Sequence, residues 1–324
     1  SENLPNYDGP YGSTSSQDML LAYAQYLREL VPLDKSRRLK VVIDTGNGMG
    51  GFTVPAVLGD EILPELPLDI DPMYFELDGS FPNHEANPID PENLRDLQKR
   101  VLEVGADIGL AFDGDADRCF VVDEKGAIVD PSTLTALIAT RELVKAPGST
   151  IIHNLITSRA VPEIVIENGG IPVRTRVGHS FIKATMAETG AIFGGEHSGH
   201  FYFRDFWKAD SGMLAAMHAL AALGETPDSI TLSELLKPYL RYVMSGEINT
   251  KVTDAKAVIA RIKETAIKQG SELDELDGLT VSGDGWWFNV RSSNTEPLLR
   301  LNVEAIDIQN MEIVRDSVLS MMVG

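Results

Sequence analysis

The 324-residue sequence has a single cysteine, Cys119. That excludes a disulfide framework and fits a reducing, cytoplasmic setting. It has no apolar run long enough to span a bilayer, and its first residues hold no basic stretch leading into an apolar one. Neither a membrane span nor a secretory leader is therefore expected. Positive charge is scarce: 28 Lys and Arg stand against 48 Asp and Glu, a formal net charge of −20. Nucleic acid and anionic membrane both need a basic footprint, so neither is expected as the main partner. A negatively charged small ligand would have to be met by local islands of arginine, hydroxyl and backbone N–H groups. The chain has such islands.

The chain is too long for one ordinary core, so two or three domains are expected. With 43% apolar and 23% charged residues, the composition is that of a globular protein. Residues 1–16, rich in Gly, Pro, Ser and Asn, read as a linker. Ser15 or Ser16 would cap a helix over 17–30. Strand and helix patterns then alternate. Strands are expected at 40–43, 107–112, 119–122, 150–154 and 172–176; helices follow the glycine-rich turn near 48 and fill 92–104, 134–144, 158–167, 181–188 and 211–223. In the last of these, Met213, Leu214, Met217, Leu220 and Ala221 share one side. After about residue 237 the pattern turns to strands at 239–249, 279–282, 285–291 and 298–304 with helices at 254–269 and 308–322. The expected architecture is α/β: two successive mixed α/β three-layer domains (17–127 and 128–237), then an α+β domain (238–324) with an antiparallel sheet. No internal repeat of fixed period is evident, and nothing in the sequence speaks to oligomeric state.

Four loops carry chemistry. Asp113-Gly-Asp-Ala-Asp-Arg118 packs three carboxylates into five residues after an apolar strand. Such carboxylates repel unless a cation sits among them, and hard oxygen ligands suit Mg²⁺. Arg118 follows directly, within reach of a phosphate. An EF-hand also opens Asp-x-Asp-x-Asp, but its sixth position needs Gly where Arg118 stands, and strands flank this loop. A haloacid-dehalogenase-like reading would make Asp113 a nucleophile; the later motif of that class has only a partial echo at Gly283-Asp-Gly, with Asn289.

Gly194-Gly-Glu-His-Ser-Gly-His200 is a polar loop in which Glu196 and Ser198 alternate, so both can face the hydroxyls of a sugar. His197 and His200 raise zinc, yet no cysteine ligand is near and the spacing is not diagnostic. Arg291-Ser-Ser-Asn-Thr-Glu-Pro297 gathers a guanidinium, hydroxyls, an amide and backbone N–H groups into one turn, a cradle for phosphate. Arg174-Thr-Arg-Val-Gly-His-Ser180 precedes a helix for which Ser180 is the expected cap, with Arg176 and His179 aimed at the same cleft.

Together these loops resemble the α-D-phosphohexomutases. The match takes in 113–118, 195–200 and 291–297, and also Val-Gly-His-Ser at 177–180, Asp-Thr-Gly-Asn-Gly at 44–48 and Phe-Pro-Asn-His-Glu-Ala-Asn-Pro at 81–88. Its order and spacing cover almost the whole chain. The Glu-His-Ser sugar loop looks more like the phosphomannomutase/phosphoglucomutase branch than the phosphoglucosamine or acetylglucosamine branches.

The resemblance implies a phosphoserine that donates its phosphate to a hexose phosphate. A hexose 1,6-bisphosphate would then turn over in the cleft and return its other phosphate. It further implies Mg²⁺ on Asp113, Asp115 and Asp117, with Arg118 orienting the phosphoryl group and Glu196 and Ser198 holding the sugar 3- and 4-hydroxyls. Arg291, Ser293, Asn294 and Thr295 would take the non-reacting phosphate, with Arg176 and His179 assisting. His200 or His179 would take part as general acid or base. The partner implied is a small phosphosugar.

The family sets its phosphoserine in Thr-x-Ser-His-Asn-Pro, and no such motif occurs in these 324 residues. The expectation is therefore a chain that opens on the linker after a missing first domain, holds the binding half of a mutase and turns over poorly by itself. The alternatives are a non-catalytic phosphosugar-binding protein and the dehalogenase-like phosphotransferase. Mannose and glucose phosphates are not distinguished, since both share the hydroxyls that Glu196 and Ser198 would read.

Overall fold

The computed structural model describes residues 9–10, 12–33, 35–293 and 298–323. Three five-stranded sheets succeed one another along it. The first block runs α1 (Leu20–Leu30), β1 (Leu39–Asp44), α2 (Gly50–Val57), β2 (Leu68–Met73), α3 (Arg95–Val104), β3 (Ile108–Phe112), β4 (Cys119–Asp123) and β5 (Ile128–Val129). Its sheet order is β2-β1-β3-β4-β5, parallel as far as β3 and antiparallel beyond. β3 is buried at every residue, as a strand covered on both faces must be. The helical segment before it is capped by Asp90, whose carboxylate accepts from Glu92 N. That segment opens as a 3₁₀ turn before α3 begins.

The second block contains α4 (Pro131–Lys145), β6 (Thr150–Asn154), α5 (Ala160–Glu167), β7 (Ile171–Thr175), α6 (His179–Thr189), β8 (Phe193–Gly195), β9 (Phe201–Phe203), β10 (Ala209–Asp210), α7 (Gly212–Gly224) and α8 (Leu232–Leu236). Its order is β7-β6-β8-β9-β10, again three parallel strands followed by two antiparallel ones. The third block holds β11 (Val243–Lys251), α9 (Ala255–Gln269), β12 (Glu272–Asp274), β13 (Leu279–Gly283), β14 (Trp286–Ser292), β15 (Leu298–Ala305) and α10 (Ile308–Val323). Its sheet, β11-β15-β14-β13-β12, is antiparallel throughout. The expected fold class, two mixed α/β sheets followed by an antiparallel one, is the one observed.

Every residue of α7 is buried. The five residues expected on one side are buried, and so is the rest of the helix, because it is inserted between α4 and strands β3 and β4 of the first sheet. One continuous apolar core consequently spans the first two blocks, while the third has its own beneath α9 and α10. On the other face of the third sheet, Asn289, Asn302 and Glu304 alternate with core residues, and Glu304 accepts from Arg159 N of the second block at 3.0 Å.

Other expectations need correcting. α1 begins at Leu20, where the Asp18 carboxylate accepts from Leu20 N, so neither Ser15 nor Ser16 caps it. α6 begins at His179 after Gly178, whose φ of +126° suits glycine and whose carbonyl accepts from Phe181 and Ile182 N; Ser180 therefore lies inside the first turn. Residues 237–239 form a short 3₁₀ turn, and β11 starts only at Val243. Strands β2, β5, β8, β9, β10 and β12 had no expected counterpart. No helix among the described residues is long and apolar enough to cross a membrane.

Candidate functional site

The loop from β3 to β4 carries the acidic cluster. Oxygens of Asp113, Asp115 and Asp117 lie within 4.8 Å of one another. Asp113 is 2% exposed and accepts from Arg118 twice, from the backbone N at 3.0 Å and from Nε at 2.6 Å. Asp115 is exposed. The Oδ1 of Asp117 is buried with no hydrogen-bond partner, and burial and then the charge of Asp113 push the Asp117 carboxyl up to about 6. An oxygen without a hydrogen bond, a raised carboxyl and three clustered acids favour added positive charge, although Arg118 Nε and His200 Nδ1 lie 3.9 and 3.6 Å from that oxygen. The donors, all carboxylate oxygens, suit a hard divalent cation such as Mg²⁺.

Two neighbouring segments hold this loop in shape. The turn after β1 places Gly48 so close to it that a Cβ there would lie 2.6 Å from Gly114 O, and Met49 N donates to that same carbonyl. From the 81–88 segment, Ala86 O accepts from Gly114 N and Asn87 Oδ1 accepts from Arg118 Nη1. His84 closes the support, its Nε2 3.0 Å from Asp44 Oδ2. Despite partial burial, that contact pushes the imidazole up to about 9. Arg118, expected to reach for phosphate, is thus engaged by Asp113 and Asn87.

The equivalent connection in the second sheet, from β8 to β9, carries Glu196, Ser198 and His200. The two loops meet: Arg118 and His200 form an antiparallel bridge, and Cys119 N donates to Gly199 O at 3.3 Å. Glu196 is 2% exposed and accepts from Gly178 N, Ser198 Oγ and Tyr202 OH at 3.2, 3.0 and 3.4 Å. Glu196 and Ser198 are brought together as their alternation predicts. His200 Nδ1 lies 3.0 Å from Asp210 Oδ2 and 3.6 Å from Asp117 Oδ1. Burial opposes its charged form, but these carboxylates prevail and raise it. The structure does not bring His197 and His200 together as a zinc pair: His197 faces Asp130 at 3.8 Å, whereas His200 sits with Asp117 and Asp210, their ligand atoms within 4.8 Å of one another.

Through Gly178 the sugar loop is continuous with the loop before α6. There Arg176 and His179 are exposed; Arg176 lies over the Phe181 ring and its Nη2 is 3.9 Å from Asp277 Oδ1. Asp277 also accepts from Val177 N, and the adjoining Gly278 abuts Arg291 of the third sheet. Arg291 is expected to be a free fork for phosphate, yet its Nη2 donates to Glu247 Oε2 at 2.6 Å, and Glu247 also accepts from Arg300. Ser293 N donates to Leu298 O, closing the turn. Asn294 and Thr295 lie outside the described residues. The dehalogenase echo is not assembled: Gly283-Asp-Gly is the β13–β14 turn, and Asn289 is buried in the third sheet against Asp277 and Thr280.

Several residues of the site had no sequence signal of their own. Asp210, Lys183 and Tyr202 come from three separate elements and meet only through the second sheet's topology. Asn87 and His84 were visible only within the motif at 81–88.

The chain matches three family descriptions in succession. These are the phosphoglucomutase/phosphomannomutase alpha/beta/alpha domain II over residues 22–126, domain III over 130–242, and the C-terminal domain over 247–320. It is 41% identical over 296 residues to "Phosphohexose mutases" of Xanthomonas campestris, covering 91% of this chain and 64% of that protein. It is 38% identical over 320 residues to a phosphomannomutase of Salmonella montevideo, covering 98% and 70% respectively. A crystal structure of a phosphoglucomutase/phosphomannomutase family protein from Burkholderia thailandensis is similar, with a TM-score of 0.81 at 31% identity, over 94% of this chain and 64% of that one. The chain thus spans just under two thirds of the X. campestris protein's length. The domain order of these matches is also the order in which the acidic, sugar and third-sheet loops occur, and the chain belongs to the phosphoglucomutase/phosphomannomutase family.

Proposed function

We propose that the chain supplies the metal, sugar and phosphate loops of a phosphohexomutase of the phosphomannomutase/phosphoglucomutase type. It would interconvert hexose 1-phosphate and hexose 6-phosphate through a phosphoserine and a hexose 1,6-bisphosphate. The observation that carries this is the direct junction of the acidic loop with the Glu196–His200 loop at the Arg118–His200 bridge. A phosphoryl group held beside the metal would then meet a sugar held by the second block.

Asp113, Asp115 and Asp117 would hold Mg²⁺. When bound, the ion would neutralise charge building on the transferring phosphoryl group. Glu196, already accepting from three donors, has its carboxylate fixed by the protein, so it would orient sugar hydroxyls with little loss of freedom. His200, beside Asp117, would hold or release a proton next to the transferring oxygen. Arg291, Ser293, Asn294 and Thr295 would bind the second phosphate with Arg176 and His179 at its edge, Arg291 exchanging part of its bond with Glu247 for a phosphate oxygen. A setting in the cytoplasm fits a small phosphosugar substrate.

Calorimetry on the 324-residue chain with Mg²⁺ and glucose 1,6-bisphosphate tests the reading. Asp117→Asn should lose the cation and Glu196→Gln the sugar phosphate, each by about tenfold or more. Bisphosphate binding untouched by Glu196→Gln would refute the assigned sugar loop.

A further inference from the structure

His200 is held from three sides, and two of the residues responsible lie outside the loop that carries it. Asp210, the last residue of β10, puts Oδ2 3.0 Å from His200 Nδ1. Its other oxygen lies 3.0 Å from Lys183 Nζ, which reaches across from α6. The same ammonium sits over the ring of Tyr202, 5.7 Å from its centroid, and that ring stacks on His200 at 6.2 Å between centroids. One cation therefore anchors both the carboxylate at the edge of the imidazole and the aromatic ring on its face.

The third hold is the backbone. His200 bridges Arg118, and its carbonyl accepts from Glu196 N. With Nδ1 facing the Asp210 carboxylate at 3.0 Å, short of an aligned hydrogen bond, and the ring stacked on Tyr202, Nε2 is the nitrogen left to meet a ligand. Among the described residues no contact engages that atom. An imidazole so restrained can approach a transferring oxygen in one orientation.

We propose that Lys183 and Asp210 are positioning residues for His200, fixing its ring so that Nε2 faces the reacting oxygen. This rests on the mutase reading for the chemistry served, though the restraint itself does not. Lys183 acts on His200 chiefly through Asp210, its 3.0 Å partner, and Asp210 acts on His200 directly, so the two substitutions should not add.

Two measurements test it. In proton NMR of the 324-residue chain, the ring Nδ1–H of His200, assigned by its loss in His200→Gln, should appear as a slowly exchanging downfield signal. Asp210→Asn should abolish it, Lys183→Met should broaden it, and Lys183→Arg should restore it. In protein expressed from the full reading frame, Asp210→Asn should lower kcat by about tenfold to a hundredfold with KM for the hexose phosphate unchanged. Lys183→Met should lower kcat less, and the double variant should fall no further than Asp210→Asn alone.

A His200 signal indifferent to Asp210→Asn overturns the proposal. So does an additive loss of kcat in the double variant. A signal that responds as expected in a full-length protein without mutase turnover would support the restraint and sink the mutase reading, which keeps the two failures apart.

Discussion

The first two sheets have the same plan and opposite chemistry. Both run three parallel strands into two antiparallel ones, and both place their functional loop at the connection where the parallel part ends, β3 to β4 in one and β8 to β9 in the other. The first loop gathers three carboxylates with an unpartnered oxygen; the second satisfies its buried Glu196 with three donors. One thus concentrates acid charge, while the other supplies its buried carboxylate with donors from three elements. On the function proposed above, a repeated fold would supply two halves of one site, one stabilised by a cation and one ordered beforehand.

The largest effect that would sharpen this contrast is at Asp117. Asp117→Asn removes one of the three repelling charges, so the metal-free chain should melt higher than wild type, while stabilisation by added Mg²⁺ should disappear. Differential scanning calorimetry with and without Mg²⁺ reads both. A lower melting temperature for the metal-free variant would mean that the acidic loop is not under electrostatic strain.

A smaller effect is expected where α7 of the second block touches the loop of the first. A Cβ on Gly212 would lie 2.4 Å from Arg118 O and 2.9 Å from Ala116 O, backbone atoms with little room to yield. Gly212→Ala should cost about 1–3 kcal/mol in chemical denaturation and weaken Mg²⁺ binding as well. Unaltered metal affinity would show that the acidic loop keeps its shape without that helix.

The smallest is a pH effect confined to the first block. The Asp44 contact raises His84 above its unfolded value near 6.5, to about 9. Its contribution is therefore fully present below about pH 6.5 and is lost as pH rises through 9. His84→Gln should flatten that decline between pH 6.5 and 9 in urea midpoints. An equal decline in the variant would assign it to another group.

How much of this was legible depended on whether the information was local. The spacing of Asp113, Asp115 and Asp117 is contained in five residues, and so was readable. β2 was not, because Asp69, Asp71 and Pro72 suit only a solvated edge strand, which is where it sits. The repeated sheet plan left no trace in spacing, since two unrelated apolar patterns build it. Asp210 became part of the site only when β10 paired with β9 beside His200. Arg118 and Arg291 stood out in the sequence as candidates for phosphate contact, but their present partners, Asp113 and Glu247, are settled by tertiary contact.

The burial of α7 has a consequence for how the protein comes apart. Its thirteen residues belong by sequence to the second block, yet they seal the underside of the first sheet. The two sheets therefore share one cooperative unit, and amide exchange in β3 and β8 should proceed at similar opening free energies while β14 follows its own. A gene cut between the two blocks would leave the first with an exposed apolar trough and the second with a helix that has lost half its shelter. Two modules by homology, they are one module by stability.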